Sequence, residues 1–197
     1  MEAMNLYKVT LLQNLFLIGI ITISISCGEY QNHQDNQDKA AQKNDSASKI
    51  NELENDAHFL VSASEIHMEE ISLGQLAQTN ASLTDVKELG KMMEAEHTKL
   101  LNDLKQLAQH KLFVLPSSPA DHSQDAYNNL NEKSPADFDK EYCKMLVSGH
   151  EDAIEQFEKA SKESTDQEIR EWATASLPVL KKHLQHAISC LKKNEKL

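Results

Sequence analysis

Four times between Asp56 and Lys192 the apolar residues return at the spacing of an α-helix, and no stretch alternates at the two-residue period of a strand. The first stripe is Ala63, Ile66, Leu73 and Ala77, opening near Asp56 as N-cap and ending near "TNAS". The second follows Thr84 and Asp85 with Val86, Leu89, Met93, Leu100, Leu104 and Leu107. The third opens on "SPADFD", where Ser134 can cap, Pro135 suits the first helical position and Asp137 completes a capping box. Its stripe is Tyr142, Leu146, Ala153, Phe157 and Ala160, and the fourth, after "STDQE", is Ile169, Trp172, Ser176, Leu180, Ala187 and Leu191. The spacing predicts helices over 56–80, 84–111, 135–163 and 167–193. With 5 Gly and 4 Pro in 197 residues and 5% aromatics, one helical domain over 51–197 suits the chain better than a sandwich or a wound sheet.

Connections decide the topology. The joints between helices one and two and between three and four are short, so each pair forms an antiparallel hairpin. The stretch 112–133 is long enough to cross from one hairpin to the other, with room for a short helix around Ala126–Leu130. The expected fold is all-α, an antiparallel four-helix bundle of two hairpins with a long crossover between helices two and three. Pro178 falls inside the fourth helix, where a missing N–H predicts a kink.

Upstream of the domain the chain reads as an address. Lys8 precedes the apolar run "LLQNLFLIGIITISIS", and Cys27 follows directly. The arrangement resembles a bacterial lipoprotein signal over 1–26, with lipidation of Cys27, although Ser24 stands where such signals usually carry Leu. A membrane-spanning anchor is the competing reading, but the run is short and includes Gln13 and Asn14. Residues 27–50, "CGEYQNHQDNQDKAAQKNDSASKI", have almost nothing to bury and read as a disordered polar tether behind the lipid. The expected location is the envelope, periplasmic or on the outer membrane, with the membrane as a partner through the anchor. A net charge of -11, from 20 basic and 31 acidic residues, repels phosphate backbones and excludes nucleic acid as a partner.

Each helical stripe carries one polar intruder: Glu70, His97, His150 and His183. Glu70 and His97 are equidistant from a point near residues 83 and 84, and His150 and His183 from one near 166 and 167, close to the two expected turns. Each pair should meet across its hairpin, near the middle of the bundle. Cys143 and Cys190 share the second centre, which in an exported domain predicts a disulfide; two small buried thiols are the alternative.

Glu94 stands three residues before His97, as in half of a di-metal site of the four-helix carboxylate proteins. The other half is missing, because Val147 and Leu180 occupy the places three before His150 and His183. Glu94, toward the edge of its stripe, therefore reads as an outer or solvent-facing partner of His97, not a bridging ligand. Three imidazoles and Glu70 could hold one divalent ion such as Zn²⁺, Cu²⁺, Ni²⁺ or Fe²⁺. Equally, Glu70 and the imidazoles could form a metal-free hydrogen-bonded layer that fixes helix register. His67 and His186 could widen a metal site but read as helix-surface residues. His33, His58, His110 and His122 read as tether, helix-end or loop positions. The chain has no Gly-rich phosphate loop and no Ser or Cys beside a base and an orienting acid, which points away from an enzyme.

"FLVSASEIHMEEISLGQLA", "MMEAEHTKLL", "MLVSGHEDAIEQFEKAS" and "SLPVLKKHLQHA" resemble, in order, the four helical signatures of the bacterial family known as domain of unknown function 4142. The resemblance covers about 56–192 and implies a ferritin-like four-helix fold in an exported or membrane-anchored protein. On the family pattern Glu70, His97, His150 with Glu151, Pro178 and His183 carry over, Glu151 as an outer partner of the metal layer. Ser72 and Gly149 depart from it, standing where relatives often have an acidic residue and Asp. The family's biochemical role is unsettled. Two functions remain: a non-enzymatic, tethered envelope protein that binds one metal ion or a protein or envelope partner, and a ferritin-like metalloenzyme or metal-storage protein with a degenerate centre.

Overall fold

The computed structural model describes residues 27–194, and the segment expected to be a signal peptide, 1–26, lies outside them. The described residues form five helices and no strand: α1 Cys27–Asn80, α2 Thr84–His110, α3 Asp121–Asn131, α4 Pro135–Glu163 and α5 Gln167–Asn194. The chain divides after Lys43 into two compact units; the first contributes the start of α1, and the second, from Asn44, holds every contact described below. No described helix is long and apolar enough to cross a membrane.

Four of the helices end within a residue or so of the places that caps and periodicity predict. Ser134 Oγ accepts from the amide of Asp137 at the start of α4, with Pro135 at the first helical position, and α3 fills the crossover. The start of α1 differs. Asp56 is no cap but a buried residue within a helix that begins at Cys27. Upstream of Asp56 the apolar stripe stops: Gln42, Lys43, Ser46, Ser48, Lys49 and Ile50 are all exposed. The described side chains there bury nothing, so they leave no apolar period for a sequence to register. No side chain caps the start of α2; just before it, the buried Asp139 carboxylate of α4 accepts from the amides of Ser82 and Leu83, both at 3.0 Å. α5 runs unbroken through Pro178.

The α1–α2 pair packs backbone against backbone. A Cβ added at Gly74 would stand 2.6 Å from Gly90 O, and one at Gly90 would stand 2.7 Å from Ala77 Cβ. Only glycine permits that approach.

Buried apolar side chains gather in two clusters. One holds Leu73, Val86, Met93, Phe138, Tyr142, Leu146 and Ala187 among others, and the second holds Leu60, Ala63, Leu100, Leu104, Ala153, Phe157, Ile169 and Leu180. Each long helix passes from one cluster to the other. At that crossing α1 presents His67 and Glu70, α2 His97, α4 His150 and α5 His183, so a buried polar layer separates two apolar cores.

Candidate metal centre

His67, His97 and His183 are fully buried, His150 is 1% exposed and Glu70 is 7% exposed. Burial in a nearly apolar surrounding opposes charge, and the imidazoles disfavour one another's protonation. Burial pushes the His67 pKa down to about 3 and that of His150 to about 4. It holds His97 well below its ordinary value and lowers His183, although Glu96 pulls the latter back. All four rings are neutral at pH 7, so each has one N–H and one lone pair. Burial, with the charge of Glu69, raises Glu70 to about 8 and keeps its carboxyl protonated.

Partners assign the tautomers. His150 Nδ1 lies 2.8 Å from the Leu146 carbonyl, which can only accept, so Nδ1 carries the proton and Nε2 the lone pair. His183 Nε2 lies 3.0 Å from Glu96 Oε2. Against the upward push of burial, hydrogen bonds from Lys182 and His183 hold the Glu96 carboxyl below its usual range, so it is an acceptor. His183 Nε2 therefore donates and Nδ1 holds the lone pair. These two lone pairs, His150 Nε2 and His183 Nδ1, face each other at 3.3 Å. His97 Nε2 stands 3.1 Å from the same His183 Nδ1. One ring nitrogen from each of the three lies within 4.8 Å of the other two, on three different helices.

The remaining residues fall around this convergence. Glu70 Oε1 is 3.5 Å from His150 Nδ1, on the edge of the ring away from the converging nitrogens, and its Oε2 has no partner among the described residues. Gly149 borders it, since a Cβ there would meet Glu70 Oε1 at 3.5 Å. Glu94 is turned aside from the layer, accepting from Gln75 at 2.8 Å and Gln78 at 2.7 Å, and Glu151 is exposed. The outer carboxylate of the site is Glu96, bridged to Lys182 at 2.9 Å. Sequence spacing does not single it out, because Glu96 meets its imidazole on another helix. His67, expected at the surface, lies inside, its Nδ1 3.0 Å from His97 Nδ1. His58, His110, His122 and His186 are exposed.

One heptad from the layer, Cys143 Sγ and Cys190 Sγ lie 2.7 Å apart, across α4 and α5 as the shared centre predicts. Cys143 donates to Cys190, and that bond with burial pushes its thiol up.

The donor set suits a borderline divalent cation. Three neutral imidazoles converge, and two of them have their outer N–H held by a carboxylate or a carbonyl, which orients a ligating ring. It does not suit a two-metal centre, because no carboxylate oxygen of the layer points between the converging nitrogens to bridge a pair of ions.

Comparison with known proteins finds no match among curated proteins and none among solved structures. A family model described as Domain of unknown function (DUF4142) matches residues 38–189, most of the chain and all of the polar layer. The chain belongs to the DUF4142 family.

Proposed function

We propose that this is a non-enzymatic protein of the bacterial envelope, tethered to the membrane through a lipid on Cys27, whose four long helices form a ferritin-like antiparallel bundle around one divalent transition-metal ion. The ion would be held by His97, His150 and His183, with Glu96 and Leu146 O orienting two of the rings and Glu70 backing His150. Once bound it would supply a fixed positive charge at the bundle centre. One observation carries the reading: the lone pairs of His150 and His183 face each other at 3.3 Å between neutral rings, a repulsive contact that a cation relieves. A disulfide between Cys143 and Cys190, 2.7 Å apart, would pin α4 to α5 beside the layer and suits an exported protein.

A second reading has its own support. His67, His97, His183 and Glu96 can form one directed chain of hydrogen bonds at 3.0, 3.1 and 3.0 Å, a metal-free layer that fixes helix register. Melting of the chelator-treated full chain separates the two. Zn²⁺, Cu²⁺, Ni²⁺ or Fe²⁺ at a hundredfold over its dissociation constant should stabilise the protein by about 2.7 kcal/mol, because only the folded chain presents the site. His97→Ala and His183→Ala should abolish the rise, and Glu94→Ala should keep it. If none of the ions shifts the wild-type melting temperature, the metal reading fails and the hydrogen-bonded layer stands.

A further inference from the structure

His67 touches the centre only through His97, Nδ1 to Nδ1 at 3.0 Å, and its own Nε2 has no partner among the described residues. Two nitrogens at that distance share one proton, so the bond can run in either direction. When His67 donates, His97 Nδ1 is the acceptor, its proton sits on Nε2, and that N–H is directed at His183. The centre then offers two lone pairs and one N–H. When His97 donates, its Nε2 lone pair joins those of His150 and His183, and the proton of His67 moves to its unpartnered Nε2. The number of protons on the pair is the same in both arrangements.

We propose that His67 is the positioning residue of the metal centre: by accepting from His97 Nδ1 it selects the tautomer in which all three converging nitrogens can ligate. This rests on the metal reading above. The other two rings need no such help, since a carbonyl and a carboxylate cannot donate and fix His150 and His183 permanently. His97 alone leans on a partner that can both give and take a proton, so its readiness is conditional. The surroundings of His67 favour the metal-free direction. Its neighbours are the rings of Phe157 and Trp172, with centroids at 6.0 and 6.1 Å, which leave a lone pair on Nε2 undisturbed but offer an N–H no strong acceptor. Ion binding must therefore turn the His67–His97 bond around, and the residue that permits ligation also limits its strength.

Zn²⁺ binding to the chelator-treated full chain, followed by calorimetry, tests this with two variants. His67→Leu removes the acceptor while keeping the site filled, and should weaken binding about 10- to 100-fold, the range seen when an outer partner of a ligand is lost. His67→Asn should restore binding close to the wild-type value, because its Oδ1, attached to Cγ like the imidazole Nδ1, can accept from His97. Nitrogen-15 spectra of histidine-labelled wild type should show the His67 proton on Nδ1 without Zn²⁺ and on Nε2 with it. A residue that merely fills space would not move that signal. Equal affinities in wild type and His67→Leu, or an unmoved His67 proton on Zn²⁺ binding, overturn the positioning role alone. Absence of Zn²⁺ binding in the wild type overturns the metal reading and the positioning role with it.

Discussion

Lowering the pH from 7 to 5 confronts the folded chain with buried imidazoles that resist ionising. His67 has a folded pKa of about 3 and His150 of about 4, against an ordinary 6.5, and His97 lies well below that value. A lowered imidazole pKa means that its stabilising share is present above 6.5 and drains away as the pH falls, because the unfolded chain takes up a proton that the folded one refuses. Between pH 7 and 5 His67 and His150 each cost about 2 kcal/mol, or about 4 kcal/mol together, and His97 adds a loss of the same sign. Glu70 works the other way. Its folded pKa of about 8 exceeds the ordinary 4.5, so its share is complete below 4.5 and fades as the pH rises towards 8. Acidification over the same interval returns about 2 to 3 kcal/mol through Glu70, so the histidines outweigh it and a net loss of about 1 to 2 kcal/mol remains before His97 is added, against the 5–15 kcal/mol of an ordinary domain. Urea unfolding of chelator-treated protein at a series of pH values measures this directly. Wild-type stability should fall on acidification, and His67→Leu should lose about 2 kcal/mol less over the interval. A stability that is flat or rising from pH 7 to 5, or a His67→Leu protein with the wild-type slope, would refute the neutral buried layer.

Gly74→Ala pushes a Cβ to 2.6 Å from a backbone oxygen that cannot rotate away, so overpacking should outweigh the gain in helix propensity and cost about 1 to 2 kcal/mol in urea unfolding; a variant as stable as wild type would mean that the α1–α2 contact is looser than described. Titration of denatured, non-reduced protein should find neither Cys143 nor Cys190 free, and reduction should cost about 4 kcal/mol, since the bridge spans 47 residues. Two titratable thiols in oxidatively prepared protein would remove the disulfide. Cys27→Ala should release the domain from the membrane fraction or stall its processing, and an unchanged distribution would count against the lipid tether.

Helix number, the crossover helix and the hairpin turns were legible because each leaves a local mark: a periodic stripe, a capping Ser134, a short joint. Facing residues were legible where register could be counted from a turn, as for Cys143 with Cys190 and His150 with His183. His67 was misread for two reasons. Ala63, Leu73 and Ala77 of the expected stripe are buried, but Ile66 is only half-buried and the seam at that turn runs through its neighbour His67 and on to Glu70. The first turn is also centred on Ser82, nearer the N-terminus than the expected point, and residues equidistant from Ser82 pair His67 with His97 and Gly74 with Gly90. Counting from that centre would have found the contact. Glu96 left no mark at all, since its role depends on how a side chain reaches from α2 to the ring on α5. The long start of α1 escaped because the exposed residues described there, Gln42 to Ile50, leave no apolar period.

Asp139 ties the turn between α1 and α2 to α4, 57 positions beyond Ser82 along the chain. During synthesis the amides of Ser82 and Leu83 must wait, served by water, until the first turn of α4 has emerged and packed. The α1–α2 hairpin is thus not a finished folding unit when its last residue is made. A chain cut before Asp139 would have its second helix fray at the start, and the two hairpins should gain protection from hydrogen exchange together, as one cooperative block, not in the order in which they leave the ribosome.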